Sequence, residues 1–325
     1  MHGGTSVAKC SDVRGFRESL QRFFGVMPPL DAMRLFSPLA LMTSAFTYAV
    51  LHHRPQELDD LDARDAEYTD AVLDLSRWLT RYYFRLDVQG IENVPRDAVL
   101  LVGNHNGGVL PLDIFWLLMA LFDRDGPERA PHILVHDIIA YHPIGHEFVR
   151  KLGFLRATQA SAERALRAGR RVAVYPGADV EAFRPFFKRD RIDFAGHRGF
   201  ARTAIRTGVP IVPVVSVGTH EQLVVLSTGT GAAKLLRTQQ WLRTRVLPIV
   251  WCVPWGLSLG LFLYLPLPAQ TTIAFGEPIR WPALEPKDAD DPEIVERCAA
   301  QIEAQMQTIL DRLAARRVAL VGKCG

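Results

Sequence analysis

Apolar positions along this chain fall into uncharged runs broken by glycine, proline or clustered charge, and short runs alternate with longer amphipathic ones. Short runs predict strands at residues 98–102, 132–136, 171–175, 209–217 and 271–275, and residues 86–95 alternate and then turn, adding another. Helical patterns cover residues 70–85, 111–122, 141–152, 161–168, 199–207 and 291–318, the last on the surface. Gly169 and Gly208 supply stops for two of these helices. Residues 1–52 also read as helical, with an apolar second half, and residues 53–70 form an acidic joint. Strands that alternate with helices specify the α/β class, with a largely parallel central sheet flanked by helices. The expected organisation is an N-terminal helical segment with its joint over residues 1–70, then one domain over 71–325, without repeats or low-complexity segments.

The central run ends at Gly103, Asn104, His105, Asn106, Gly107 and Gly108, and Pro111 and Asp113 open the helix that follows. A histidine on a glycine turn at a strand end, with an acid at the next helix start, is where α/β folds collect ligands and chemistry. Asp113 has two readings: partner of the His105 ring, or cap of the helix. Other candidates fail on physical grounds. Gly256, Ser258 and Gly260 fit a hydrolase nucleophile elbow, but no histidine follows His220 to complete the triad order. His132 and His136 flank a strand-like stretch, and Pro143 and Gly145 break the pair His142 and His146, so no metal is expected. The glycine turn lacks the Lys-Ser/Thr of a phosphate loop.

Composition sharpens the picture in three places. In the 325-residue chain, 48% is apolar, enough for a sizeable core, and the net charge of +3 names no partner. Locally, residues 150–206 carry fourteen Lys/Arg against five Asp/Glu, and residues 54–70 carry seven acids against two arginines. The basic stretch suits either an anionic partner or solvated helix faces; without interleaved aromatics it does not suggest nucleic acid. Cys10, Cys252, Cys298 and Cys324 show no paired spacing, as in a reducing compartment, and the first residues lack the compact apolar core of a signal peptide. Two segments have no charge, residues 35–51 and 246–270, and the second carries Pro248, Pro254, Pro266 and Pro268. The first is short for a span and the second too proline-rich. The expectation is a monotopic protein that dips apolar segments into one leaflet, the alternative being helices buried in a soluble core.

Four blocks, in order, carry a resemblance. They are Gly103 to His105 with Pro111, Leu112 and Asp113; Gly153 to Arg156; Tyr175, Pro176 and Gly177 with Glu181 to Arg184; and Val209 to Pro213. Over residues 85–280 the chain resembles the PlsC-type glycerolipid acyltransferase superfamily, and residues 196–201 and 218–221 bring it closer to the diacylglycerol-acyltransferase-like branch. The resemblance implies acyl transfer from a thioester, acyl-CoA or acyl-carrier protein, to a lipid hydroxyl, with no cofactor. It implies His105 as general base and Asp113 as the acid that orients it, and a membrane-associated site on the cytoplasmic side. Substrate contacts are expected at Asn104, Gly107, Gly108, Arg156, Pro176, Gly177, Glu181, Arg184 and Arg198. The chain departs from the family pattern twice. Leu110 stands where the usual His-x4-Asp puts the acid, so the spacing becomes His-x7-Asp. Pro176, Gly177, Ala178, Asp179 and Val180 replace Pro-Glu-Gly-Thr-Arg, which removes a phosphate-gripping arginine and favours a neutral acceptor such as a diacylglycerol, monoacylglycerol or long-chain alcohol. Arg156 and Arg198 remain open as phosphate ligands or surface residues. A lysophospholipid acceptor, a thioesterase, and a lipid-transfer protein that has lost catalysis are the competing functions.

Overall fold

The computed structural model describes residues 5–27, 31, 58–108, 110–136, 143–241, 244–260 and 264–323. The apolar segment at 35–51 lies outside them. The strands are β1 (Asp87–Gln89), β2 (Leu100–Gly103), β3 (His132–Val135), β4 (Leu155–Arg156), β5 (Val172–Val174), β6 (Ile211–Val217), β7 (Val224–Ser227), β8 (Ile249–Cys252), β9 (Gly256–Leu259), β10 (Thr272–Phe275), β11 (Arg317–Val318) and β12 (Gly322–Lys323). The helices are α1 (Thr5–Val26), α2 (Ala66–Trp78), α3 (Leu112–Asp125), α4 (Pro143–Lys151), α5 (Gln159–Arg167), α6 (Ala178–Ala182), α7 (Gly199–Thr207), α8 (Thr230–Leu235), α9 (Thr238–Trp241) and α10 (Pro292–Ala314).

The main sheet runs in the order β1-β10-β6-β2-β5-β3-β4. From β6 to β4 every pair is parallel. β10 is antiparallel to β6, and β1 is parallel to β10, so two strands at one edge run in reverse. The chain between β6 and β10 passes through β7, β8 and β9 before it returns to the main sheet. Alternation along the central strands divides the core in two. Leu101, Ala173, Val212 and Ile273 point to a cluster with Leu73 of α2, Leu117 and Leu121 of α3 and Val149 of α4. Leu100, Val172, Ile211 and Ala274 point to the other face, against Ala165 of α5, Ala201 of α7 and Ile302 and Met306 of α10. β2 is buried along its whole length, as a central parallel strand covered on both faces must be.

Element ends follow local chemistry. The Asp65 carboxylate caps α2 by accepting from the Tyr68 N–H at 2.9 Å, which starts this helix before residue 70, and a π turn, Leu79–Tyr83, carries it on. Asp291 caps α10, and Gly208 at φ 68° ends α7. α10 ends at Ala314, before the expected residue 318, and buries one face of Val295, Ile302, Met306 and Leu310 instead of lying on the surface. The chain packs continuously across residue 70. Phe16 of α1 lies 4.3 Å from Trp78 between ring centroids, and Leu58 is in the core. Arg64 reaches into a set of backbone carbonyls, donating to Pro127 at 2.9 Å, Ala130 and Pro131 at 2.6 Å and Leu152 at 3.1 Å. Burial, then the charge of Arg170, pulls its pKa down to about 10, so it stays a cation at neutral pH.

The largest difference from the sequence pattern is at 246–270. In place of a buried helix, the described part of this stretch folds as β8 and β9, which join β7 in a three-stranded antiparallel sheet. Pro248 and Pro254 sit just outside β8, where their missing N–H groups break no ladder. Ser258 lies within β9, far in character from the strand-to-helix turn that a nucleophile elbow requires.

Replacing Arg64 by methionine leaves four carbonyls without their donor. Urea denaturation of Arg64→Met is expected to show a loss of about 3 kcal/mol or more. Arg170→Ala, which removes a surface pair with Asp62, is expected to change stability by less than about 1 kcal/mol. Equal effects from the two variants would contradict this account.

Candidate active site

The site begins where β2 stops. Gly103 is the last residue paired to β6, and the Asn104 side chain carries the ladder one step further, donating to the Ser216 carbonyl at 3.0 Å and accepting from the Ser216 N–H at 2.7 Å. That exchange is buried, so Asn104 faces β6 rather than open space. The backbone is thereby fixed as it enters His105. The His105 N–H donates to Glu181 Oε2 at 2.8 Å, and its ring rests 5.3 Å from that of Tyr175 between centroids.

His105 Nδ1 lies 3.0 Å from Asp113 Oδ2. The same oxygen accepts from the Asn106 N–H at 2.9 Å, and Oδ1 accepts from the Ile114 N–H at 3.0 Å. The carboxylate meets the ring, the loop backbone and the Ile114 N–H in the first turn of α3, whose N-terminal dipole favours the negative charge; the cap position itself is Pro111, with no side-chain cap. The longer spacing is absorbed by two residues. Gly107 and Gly108 have φ of 89° and 64°, in the left-handed region, and a Cβ on Gly108 would come within 2.5 Å of Leu223. The reversed chain lets α3 start beside the ring, and the Tyr264 hydroxyl, donating to the Gly107 carbonyl, holds the turn from behind.

Glu181, at the end of α6, is fully buried. Its carboxylate takes the His105 N–H on one oxygen and Arg184 Nη1 at 3.0 Å on the other, with the Asp193 N–H at 3.4 Å. Pro176 and Gly177 turn the chain out of β5 into α6, and a Cβ on Gly177 would lie 2.3 Å from Glu181. Arg184 also donates to Asn106 Oδ1 at 2.5 Å and to the Arg189 carbonyl at 3.2 Å. Asn106 closes the circuit through Ser216 Oγ at 2.8 Å. His220 donates from Nε2 to the Arg184 carbonyl at 2.6 Å.

These contacts set the ionisation states. Burial pulls the His105 pKa down, but the charge and hydrogen bond of Asp113, with Glu181 beyond it, carry it above the ordinary histidine value. Burial pushes Glu181 up, opposed by Arg184 and the two N–H donors. Burial, and then the charge of Arg184, depress His220 to about 3, which keeps it neutral. Tyr175 is held far above its usual range by burial and the Asp113 charge, so its phenol stays protonated. A neutral imidazole with Nδ1–H directed at a carboxylate leaves Nε2 with its lone pair. That is the arrangement of a general base.

The structure brings together His105, Asp113, Glu181, Arg184, Asn104, Gly107, Gly108, Pro176 and Gly177. It does not bring in Arg198, which pairs with Glu296 at 2.8 Å and Glu303 at 2.6 Å on α10. Arg156 stands on β4 at the sheet edge, three strands from β2. Asn106, Ser216, His220 and Tyr264 are site residues that the sequence pattern did not single out. Asn106 was adjacent to the histidine, and His220 sat within a noticed block, but only burial shows their connection. His132 buries its ring and lies 2.7 Å through Nδ1 from the Gly153 carbonyl, with a pKa pulled to about 4 by burial and then Arg64. Among the described residues no group of three or more His, Cys, Asp or Glu is placed to hold a metal.

A family model described as diacylglycerol acyltransferase matches residues 33–307. The chain is 33% identical over 254 residues to an uncharacterized protein of Mycobacterium tuberculosis, covering 78% of this chain and 68% of that one. It is 27% identical over 235 residues to the DGAT1/2-independent enzyme synthesizing storage lipids of Gallus gallus, covering 71% and 61%. A solved structure, the 1-acyl-sn-glycerophosphate (LPA) acyltransferase PlsC from Thermotoga maritima, is similar at 20% identity and a TM-score of 0.48, over 86% of this chain and 97% of that one.

The ring's ionisation is directly measurable. Nitrogen-detected NMR titration of His105 is expected to give a pKa above about 6.5. In Asp113→Asn the raising charge is gone and burial dominates, so the value is expected to fall below 6.5. An unchanged titration would mean that the carboxylate does not act on the ring.

Proposed function

Because this chain belongs to the diacylglycerol acyltransferase family, and so is an acyltransferase of glycerolipids, we propose that it moves a fatty acyl group from an acyl thioester to the hydroxyl of a neutral glycerolipid or alcohol, with His105 as general base. The donor is acyl-CoA or acyl-carrier protein, serving as co-substrate. The observation that carries the proposal is the 3.0 Å contact between His105 Nδ1 and Asp113 Oδ2, which commits the Nδ1 side of the ring to the acid and leaves the lone pair to Nε2. The acceptor hydroxyl gives its proton to Nε2 as its oxygen attacks the thioester carbonyl carbon. The tetrahedral intermediate then expels the thiolate, which takes the proton back from the imidazolium. Asp113 steadies the imidazolium between these two transfers. No covalent enzyme intermediate forms. Backbone at Gly107 and Gly108, and at Pro176 and Gly177, borders the reacting groups.

A neutral acceptor is supported by the fate of the arginines. Arg184 and Arg198, which a phosphate acceptor would call on, are each held in ion pairs with glutamates. The reaction is placed at the cytoplasmic face of a membrane, where such acceptors dissolve, with the protein attached as a monotopic or peripheral enzyme. Among the described residues no helix is long and apolar enough to cross a bilayer.

One assay separates the alternatives: purified protein with labelled acyl-CoA or acyl-carrier protein, and a panel of diacylglycerol, monoacylglycerol, long-chain alcohol and lysophosphatidate. The expected product is the ester of a neutral acceptor. Free acid formed without acceptor identifies a thioesterase, a phosphatidate product overturns the neutral-acceptor reading, and vesicle-to-vesicle lipid transfer without thioester loss identifies a transfer protein. His105→Ala is expected to lower kcat by about 10²–10⁴ without loss of fold; full activity in that variant overturns the mechanism.

The pH dependence has a definite sign. The working form is the neutral imidazole, so kcat/KM is expected to rise with pH through an apparent pKa above about 6.5. In Asp113→Asn that limb is expected to move to lower pH while the plateau falls.

A further inference from the structure

The sheet of β7, β8 and β9 is inverted. Its inner face is made of small side chains, Val225, Val250 and Cys252, which pack on Phe183, Leu223 and Tyr264. Its outer face is more apolar than the inner one. Trp251 pairs across strands with Leu257, and Ile249 with Leu259, in register. Leu257 is 69% exposed, Leu259 56% and Trp251 45%, and Trp255 at the β8–β9 turn is 62% exposed. Leu226 of β7 extends the same face and is also exposed. An antiparallel sheet with one solvated face normally alternates polar outward, and a contiguous apolar face of this kind marks a contact surface.

Charge identifies what it meets. From residue 222 to residue 276 the chain has no acidic residue, yet it carries Lys234, Arg237, Arg243 and Arg245, all in the excursion that joins β7 to β8. Lys234, Arg237 and Arg245 are exposed, and Leu235 and Leu236 between the first two are exposed as well. One acid from outside the stretch, Asp179, meets the excursion, accepting from the Thr244 hydroxyl at 2.8 Å and the Arg245 N–H at 2.7 Å; a stretch that is basic by sequence, exposed tryptophans and an apolar plate are the composition of a surface that enters the headgroup region of an anionic bilayer. The plate is also tied to the site. Tyr264, part of its inner core, donates to the Gly107 carbonyl, and Phe183 lies against Gly108.

We infer that the outer face of β7–β9 is a docking plate for an anionic lipid surface, which sets the His105 turn at the membrane boundary. The inference rests on the acyl-transfer reading only for the identity of the lipid that His105 meets. Its test uses no turnover, so each can fail without the other.

The full-length protein is mixed with vesicles of phosphatidylcholine, with or without phosphatidylglycerol, and binding is read by co-sedimentation. Penetration is read by quenching of tryptophan fluorescence with bromine-labelled acyl chains. Wild-type protein is expected to bind the anionic vesicles, more weakly as salt rises. The double variant Leu257→Asp, Leu259→Asp is expected to lose tenfold or more in vesicle affinity. Both positions are exposed, and a thermal melt confirms that the variant is folded. Trp251→Phe with Trp255→Phe, which keeps the apolar area, is expected to bind but to lose most of the bromolipid quenching. Wild-type quenching in that second variant overturns the proposal, since the plate would then not enter the bilayer. So does a Leu257→Asp, Leu259→Asp protein that binds vesicles as well as wild type, including one that only changes from dimer to monomer, which would make a second copy the occupant.

Discussion

One carboxylate oxygen holds the site together. Asp113 Oδ2 accepts from the His105 ring and from the Asn106 N–H at once, so ring orientation and loop shape are a single constraint. If the loop slips, the ring loses its orienting acid; if the acid leaves, the loop loses a buried acceptor. This coupling explains how an acid three residues beyond the family's usual place can serve. The extra length is taken up by two glycines in left-handed conformation, and the helix that begins just after them brings its own favourable dipole to the same carboxylate.

Around that constraint lies a second shell of charge that never meets solvent. Glu181 and Arg184 are both buried, and each reaches the histidine segment: Glu181 through the His105 N–H, Arg184 through Asn106. A buried ion pair is not a cheap stabiliser, because desolvation of both charges offsets most of their attraction. Its value is geometric. The backbone donors at His105 and Asp193 and the acceptors at Asn106 and Arg189 leave these side chains one arrangement. The network spans β2, β6 and α6, so it locks three separate segments to His105.

The antiparallel departures of the fold share a location. β10 runs against β6, and the chain between those strands builds the separate β7–β9 sheet. That connection is not a single crossover helix. The meander leaves an apolar plate beside the His105 turn, attached through Tyr264 and Phe183. The irregular part of the topology and the His105 turn are thus adjacent by construction.

The sequence by itself determined the α/β class, most strands and helix stops, the histidine at the end of the central strand and the family. These depend on local period, on glycine and proline, and on motif order, which residues carry wherever they fold. Only the tertiary structure decided the rest. Whether Asp113 reaches the ring depends on the path through Gly107 and Gly108, a loop geometry that spacing does not encode. Arg156 and Arg198 stood open as phosphate ligands or surface residues; the glutamate partners of Arg198 on α10 are what separate a positive charge from an available one. Asn106, Ser216 and Tyr264 have unremarkable neighbours in the chain, and their connection appears only when β6 and the residue after β9 are brought against β2. The uncharged stretch at 246–270 allowed a buried helix because hydropathy averages over both faces of a strand. Its antiparallel pairing, and the outward direction of its largest side chains, are long-range facts fixed by which strands meet.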